Sequence, residues 1–515
     1  MKSFLIKNFL LVVIMAIAAV LRFWQLGQNP PGLFADEASN GYNAYSILKT
    51  GRDEYGNFLP LTFRAFGDYN PAFSVYLLVP SIAIFGLNEF AVRFPSALLG
   101  TLTIPFTYLL VRKLFSDDSH RKLQQGRLQQ GASLLGLLAA FFLAISPWHL
   151  QFSRYDHEAN FMLFFSVLAV TLFLYSLKKS IFLPLSAFSF ALAINSYQGA
   201  KIWIPILMLL ILVIFYKEIR KFGTKLFLPA TIMIISLLPI LTNFKQSLIR
   251  GNSVGIIQTE KPLNTFISNY LSHYSPNFLF VEGDLIGRHS ISGMGELFVF
   301  QIPLVVLGLL ALVRLQGKSK SFVLGWLLLA PVPAALTSPA PHALRSISAT
   351  LMWSIICALG IYALISVKIK NLQKVAVFTV IISVAIYNFV TYLHLYYAHY
   401  PKLKASDWQD GYKQMVQFVN GIKDNYEVIA ITNYYTKPYI FVLFYTKYDP
   451  ATYQRQSQDK SKFDKFEFFG ASWEKKVAGT VLLVRPHWQK PDPPPKYIKE
   501  IYDSANTLVF RISEE

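Results

Sequence analysis

The sequence predicts an α-helical integral membrane protein with about eleven transmembrane helices and a small soluble α/β domain at its C-terminal end. Three observations carry this. Of 515 residues, 53% are hydrophobic and only 15% charged, too apolar a balance for a soluble chain of this length. The apolar residues are gathered into runs of about 17 to 23, the length of helix that crosses roughly 30 Å of hydrocarbon. Beyond residue 393 these runs stop and charge returns, with 17 Lys and Arg against 14 Asp and Glu in 394–515.

The first run, 8–26, follows Lys2 and Lys7 as a signal peptide would, but it is long and has no small-residue cleavage site before Arg22, Phe23 and Trp24. It reads as an uncleaved anchor. Further spans are expected at 93–115, 132–149, 159–177, 181–197, 201–216, 226–243, 296–314, 322–337, 346–367 and 374–393. The apolar segment 71–87 begins with Pro71 and contains Pro80. It is read as a helix lying in, or re-entering, the outer interface, because counting it as a span would invert every charge after it. With it left out, the bases of five short loops fall on the N-terminal side: Arg112, Lys113, Arg121, Lys122 and Arg127; Lys178 and Lys179; Lys217, Arg220, Lys221 and Lys225; Arg314, Lys318 and Lys320; Lys368, Lys370 and Lys374. That is the positive-inside pattern. It makes the N-terminus cytoplasmic and 394–515 extracytoplasmic, in a multi-pass protein of the cell membrane.

The large loops 27–92 and 244–295 then face outward with the tail, and function is expected on that side. Residues 1–393 form the membrane domain and 394–515 the soluble one. In the tail, 407–423 reads as an amphipathic helix, Val428 to Thr432, Thr480 to Val484 and Thr507 to Ile512 as strands, and 436–446 as another helix. Pro491 to Pro495 is a turn or stiff connector. The aromatic run Tyr434 to Phe441, with Trp408 and Trp473, can fill a core or stack on a sugar ring.

Composition also excludes. The formal charge of +19 sits in clusters between apolar runs, and no nucleic-acid recognition motif accompanies it. Cys357 is the one cysteine of the chain, which rules out an internal disulfide, a Cys-based zinc site or c-type haem attachment. No two of His149, His157, His289 and His342 stand at a standard zinc spacing, although they could converge with Glu37, so neither a metal nor a cofactor is expected.

Candidate chemistry begins at Asp36-Glu37, about ten residues after the first span. At neighbouring helical positions the two carboxylates diverge by about 100° and serve different roles. Asp36 can be a catalytic group or an N-terminal helix cap. The outward turn Ser146 to Glu158 contains Arg154, Asp156 and Glu158, which form either a ligand site or an interfacial anchor. Lys201, after Tyr197-Gln198-Gly199-Ala200, can meet a phosphate or snorkel from a helix end. His342 and Arg345, three apart after Pro339-Ala340-Pro341, share a helical face that can bind phosphate. Arg288-His289 and Gly293-Met294-Gly295 precede the eighth span.

The Asp-Glu pair, the segment Thr50 to Pro60, Gly67-Asp68-Tyr69-Asn70-Pro71, the interfacial helix and Arg93-Phe94-Pro95-Ser96 together resemble the first loop of the polyprenyl-phosphate-sugar-dependent glycosyltransferases with the C-type (GT-C) membrane fold. Within these the chain is most similar to glycosyltransferase family 39, which includes the protein O-mannosyltransferases and the lipid A aminoarabinose transferase. The likeness covers roughly residues 8–240 and extends more loosely beyond. It implies an inverting transfer of a hexose or pentose from a polyprenyl-phosphate donor to an acceptor hydroxyl on a lipid, glycan or protein. Asp36 would be the general base and Glu37 would orient the acceptor. Arg154, Lys201, His342 and Arg345 would hold the donor phosphate, while Asp156, Glu158, Arg288 and His289 would contact sugar or acceptor, the last two on a loop that caps the cavity. Partners are therefore the lipid-linked donor, the acceptor and membrane lipids. A lipid-linked sugar flippase is the rival reading, but it asks for charges deep within the spans, which are nearly free of them. A non-catalytic scaffold built on the tail is the other.

Overall fold

The computed structural model describes all residues except 1, 118–124, 243–253, 368–369, 457–459, 471–478, 490 and 492–494, and excludes the side chains of 2–7, 117, 125–130 and 242. Trp473 and the loop bases Arg121, Lys122 and Lys368 thus lie outside the described residues, as does the side chain of Arg127. The chain forms two compact units, 1–24 with 96–394 and 25–95 with 395–515. Its first helices are α1 (Lys2–Phe23), α2 (Ala35–Thr50), α3 (Ala72–Phe85), α4 (Glu89–Asp117), α5 (Gln125–Ile145), α6 (Pro147–Ser153), α7 (Glu158–Ser176), α8 (Phe182–Ile194) and α9 (Ala200–Arg220).

The first unit is helical. Among the described residues six helices are long and apolar enough to cross a membrane: Glu89–Ser116, Glu158–Ser176, Ala200–Arg220, Gly223–Leu241, Ala349–Ser366 and Asn371–Leu403. A seventh span results if α5 and α6, bent by 60°, count as one. The bend falls where Pro147 opens α6 and Ser146 accepts the His149 amide at 3.3 Å, a helix start rather than a continuation. The other four predicted spans coincide with shorter helices. Asn8–Phe23, α8 and Val299–Arg314 are apolar but brief, and the expected 322–337 is broken into Lys318–Leu329 and Val332–Ala335 around Pro331 and Pro333, since proline removes an amide and clashes with the preceding turn. Burial sorts the spans. The apolar window of α7 is 83% buried, as befits the middle of a bundle, whereas that of Asn371–Leu403 is 6% buried and leaves its side chains to hydrocarbon.

The second unit joins the first loop to the tail. Strands β1 (Thr62–Ala65) and β2 (Asp68–Pro71) form an antiparallel hairpin. α3 follows with 14 residues, about 21 Å of helix and shorter than a span. The tail contributes β3 (Val428–Thr432), β4 (Lys462–Phe463), β5 (Phe466–Phe469), β6 (Val481–Pro486), β7 (Tyr497–Tyr502) and β8 (Leu508–Glu514) in a six-stranded sheet of order β4-β5-β3-β6-β8-β7. The central β5-β3-β6 pairs are parallel, with Ile429 opposite Phe466 and Leu482, and the outer pairs are antiparallel. All six residues of β6 are buried, as a strand covered on both faces requires. Ala430, Phe469, Val481 and Leu483 form a core cluster. Helices Tyr412–Ile422 and Pro438–Thr446 lie where periodicity places them. Trp408, Tyr439 and Phe441 are buried and Tyr434 is exposed, so the aromatic run is mostly core.

Candidate active site

Asp36 and Glu37 open α2, and their environments differ as one step of helix demands. Asp36 is exposed and Glu37 buried. Glu37 reaches back to accept the Phe34 amide at 3.2 Å, while the Ala35 amide donates to Gln409 Oε1 at 2.9 Å. Two of the amides that no helix can satisfy internally are thereby paired. The buried Arg93 grips Glu37 with both arms of its guanidinium, Nε to Oε1 at 3.0 Å and a terminal nitrogen to Oε2 at 3.1 Å. This fork geometry is among the strongest of charge-assisted contacts. Arg93 also donates to the carbonyls of Leu26, Pro30 and Gly32 and lies over the Trp408 ring. It therefore fixes the chain from 26 to 37, and with it the start of α2. Gly32 has φ +63°, and a Cβ there would meet the Trp408 carbonyl at 2.9 Å, so the turn requires glycine. Glu37 thus contributes a cap at the start of α2.

The remaining predicted residues, Arg154, Asp156, Glu158, Lys201, Arg288, His289, His342 and Arg345, belong to the first unit. There the segments that contain them converge. His289 and His342 rings are 4.9 Å apart, Phe152 is 5.5 Å from His289, and His157 is 5.9 Å from Tyr197 in the loop before Lys201. Gln151 donates to the Arg288 carbonyl at 2.7 Å, and the Trp148 indole to the Ala343 carbonyl at 3.0 Å. Arg154, buried at the end of α6, donates to the carbonyls of Leu21 and Trp24, each at 2.7 Å, fastening the last turn of α1, where a cation is favoured. Asp156 is buried, and Glu158 lies 3.4 Å from His157. Lys201 donates to Gln198 at 2.5 Å. Arg345 donates to Thr337 Oγ1 at 2.7 Å and to the Ser338 carbonyl at 3.0 Å, and its amide approaches His342 Nδ1 at 3.4 Å.

Asp284 ties this cluster together, and sequence reasoning missed it. It pairs with His289 Nδ1 at 2.9 Å, stands 3.7 Å from His342 Nδ1, and accepts the Ala343 amide at 2.7 Å. Burial, reinforced by His289 and Arg345, pushes His342 down to about 2, and burial lowers His289 as well, so both imidazoles are neutral in the physiological range. Ligand atoms of Asp284, His289 and His342 lie within 4.8 Å of one another, a set able to hold a divalent cation. Of the four histidines considered for convergence, His289 and His342 share this aspartate, while His149 meets Arg22 at 2.7 Å. Glu37 belongs to the other unit.

Residues 12–121 match the family of dolichyl-phosphate-mannose-protein mannosyltransferases. An uncharacterized protein of Aquifex aeolicus is 27% identical over 209 residues, 39% of this chain and 36% of that protein. The structure of ArnT from Cupriavidus metallidurans bound to undecaprenyl phosphate aligns over 97% of both chains with a TM-score of 0.56 at 13% identity. The chain has the C-type glycosyltransferase fold. The Archaeoglobus fulgidus oligosaccharyltransferase shares this C-type fold over 85% of the present chain, with a TM-score of 0.53 at 16% identity. The chain spans 63% of that enzyme's length and about a third of the Aquifex protein's.

Proposed function

We propose that the protein is a multi-pass membrane glycosyltransferase that moves a sugar from a polyprenyl phosphate to an acceptor hydroxyl at the extracytoplasmic face. The observation that carries this is the pair at the start of α2. It lies in the segment that matches the mannosyltransferase family, with Glu37 locked by Arg93 and Asp36 left exposed beside it. In the proposed step an Asp36 carboxylate oxygen takes the proton of the acceptor hydroxyl as the hydroxyl oxygen attacks the anomeric carbon. The bond from that carbon to the phosphate oxygen breaks on the opposite face, inverting the centre, and the lipid phosphate leaves with the electron pair. A phosphate carries that charge readily, so it needs cations and N–H groups rather than an acid, and the step draws on no cofactor. Arg154, Lys201, His342 and Arg345 are assigned to the phosphate, and Asp156, Glu158, Arg288 and His289 to the sugar or acceptor. Convergence of their segments within one unit supports that assignment.

The test uses purified protein in lipid nanodiscs, a panel of polyprenyl-phosphate hexoses and pentoses, and a membrane-acceptor extract, with release of polyprenyl phosphate as the readout. Wild type is expected to release it with one donor class, and Asp36→Asn to lose that release while remaining folded. Release that survives the substitution removes Asp36 from its role. Donor binding without release, in both proteins, favours a transporter.

A further inference from the structure

The second unit contains a cavity that the proposed reaction does not use. It has a volume of about 460 Å³, within the range of small-molecule sites. Arg64 and Phe66 from the β1–β2 hairpin, Lys437 and Tyr439 from the tail helix, and Tyr55 and Lys460 line it. Three cations thus share three rings. Lys460 Nζ stands 4.5 Å from the Tyr439 ring, 4.8 Å from Tyr55 and 5.6 Å from Phe66, Lys437 Nζ 5.2 Å from Phe66, and Arg64 5.2 Å from Tyr55. Against them stands Glu54, buried 3.8 Å from Lys460 Nζ. Among the described residues, three positive charges face Glu54 and the neighbouring Asp53, and the one positive charge in excess is what a bound anion would offset.

The backbone is also unusual here. Phe66, Thr436 and Lys437, all lining the cavity, have φ of +52°, +67° and +54°. Side chains rarely adopt this region, and a β-branched threonine least of all. Such conformations persist where surrounding structure enforces them, commonly at ligand sites. Here they turn Lys437 and Phe66 toward one space. Asn433, Thr436 and Ser461 add polar side chains to the lining.

We propose that this cavity binds an anionic carbohydrate. The sugar ring lies against the Tyr55, Phe66 and Tyr439 rings, its phosphate or carboxylate meets Arg64, Lys437 and Lys460, and its hydroxyls meet Asn433, Thr436 and Ser461. The site is independent of the transfer reaction, and either reading can fail without the other.

The test is ligand-observed saturation-transfer NMR on the full chain in nanodiscs, with glucose 6-phosphate, glucuronate, glucose and inorganic phosphate as probes. Saturation is expected on the ring protons of the two charged sugars, with affinity at least about tenfold above that for glucose. Arg64 and Lys437 are exposed, so the double variant Arg64→Gln/Lys437→Gln should fold normally and lose about tenfold or more in affinity for the charged sugars. Equal binding of glucose, unchanged affinity in the double variant, or absence of saturation on any sugar overturns the proposal. Phosphate binding alone would reduce the cavity to an ion site and overturn it equally.

Discussion

Arg93 and Glu37 stand 56 residues apart in sequence and form one buried ion pair. Removing one partner of such a pair leaves a charge in low dielectric without compensation. Arg93→Met should therefore destabilise the second unit by about 3–5 kcal/mol, read as a drop in unfolding temperature in nanodiscs. Asp36→Asn, on an exposed side chain, should change stability by less than about 0.5 kcal/mol while abolishing turnover. That contrast separates the residue that supports the site from the one assigned to act in it. Glu54 gives a pH signature. Burial, partly opposed by the Lys460 and Arg64 charges and reinforced by Asp53, raises its carboxyl from the ordinary 4.5 to about 7. Between those values the folded chain binds a proton that the unfolded chain has released, so stability falls as pH rises from 4.5 to 7 and stays lower above it. The gap corresponds to about 3 kcal/mol. Unfolding temperatures at pH 5 and pH 8 should differ in this sense for wild type and much less for Glu54→Gln. A variant whose pH dependence matches wild type would exclude Glu54 as its source.

At the scale of elements, helices Ile302–Arg314 and Ala349–Ser366 approach backbone to backbone at Gly308 and Gly360. A Cβ on Gly308 would collide with the Ile356 carbonyl, and one on Gly360 with the Leu304 carbonyl. Lipid tails are as apolar as leucine, so close packing of small residues is what brings such helices together. Gly360→Val should force them apart and destabilise the first unit by about 1–3 kcal/mol, whereas Ala363→Val in the same helix, where burial is lower, should cost less. Comparative unfolding in nanodiscs checks this. The same scale shows what pattern reading can reach. β3, β6 and β8 were legible because runs such as Val428–Thr432 and Val481–Pro486 are apolar and bounded. β7 reads Tyr-Ile-Lys-Glu-Ile-Tyr and is half exposed at the sheet edge, and β5 has four residues. Neither shows the periodicity that marks a strand, since edge position and short length follow from the sheet as a whole.

At the scale of the molecule, the positive-inside pattern of the bases predicts that the N-terminus and the short loops are cytoplasmic. Cys357 is buried, so an impermeant maleimide reports only on introduced cysteines. Lys499→Cys, exposed in β7, should label in intact cells, and Gln316→Cys, exposed between two helices of the first unit, only after permeabilisation. The reverse result would overturn the orientation. The sequence by itself determined the membrane class, the positions of most of the apolar helices, the C-terminal sheet domain and the divergence of Asp36 from Glu37, because each follows from local composition or from the 3.6-residue repeat of one helix. Only the tertiary structure decided that 25–95 joins 395–515 in one unit, that Arg93 holds Glu37, and that Asp284 gathers His289 and His342. These are contacts between segments distant in sequence. They are selected by shape and by the need to pair every buried charge, and no local pattern encodes which partner will arrive.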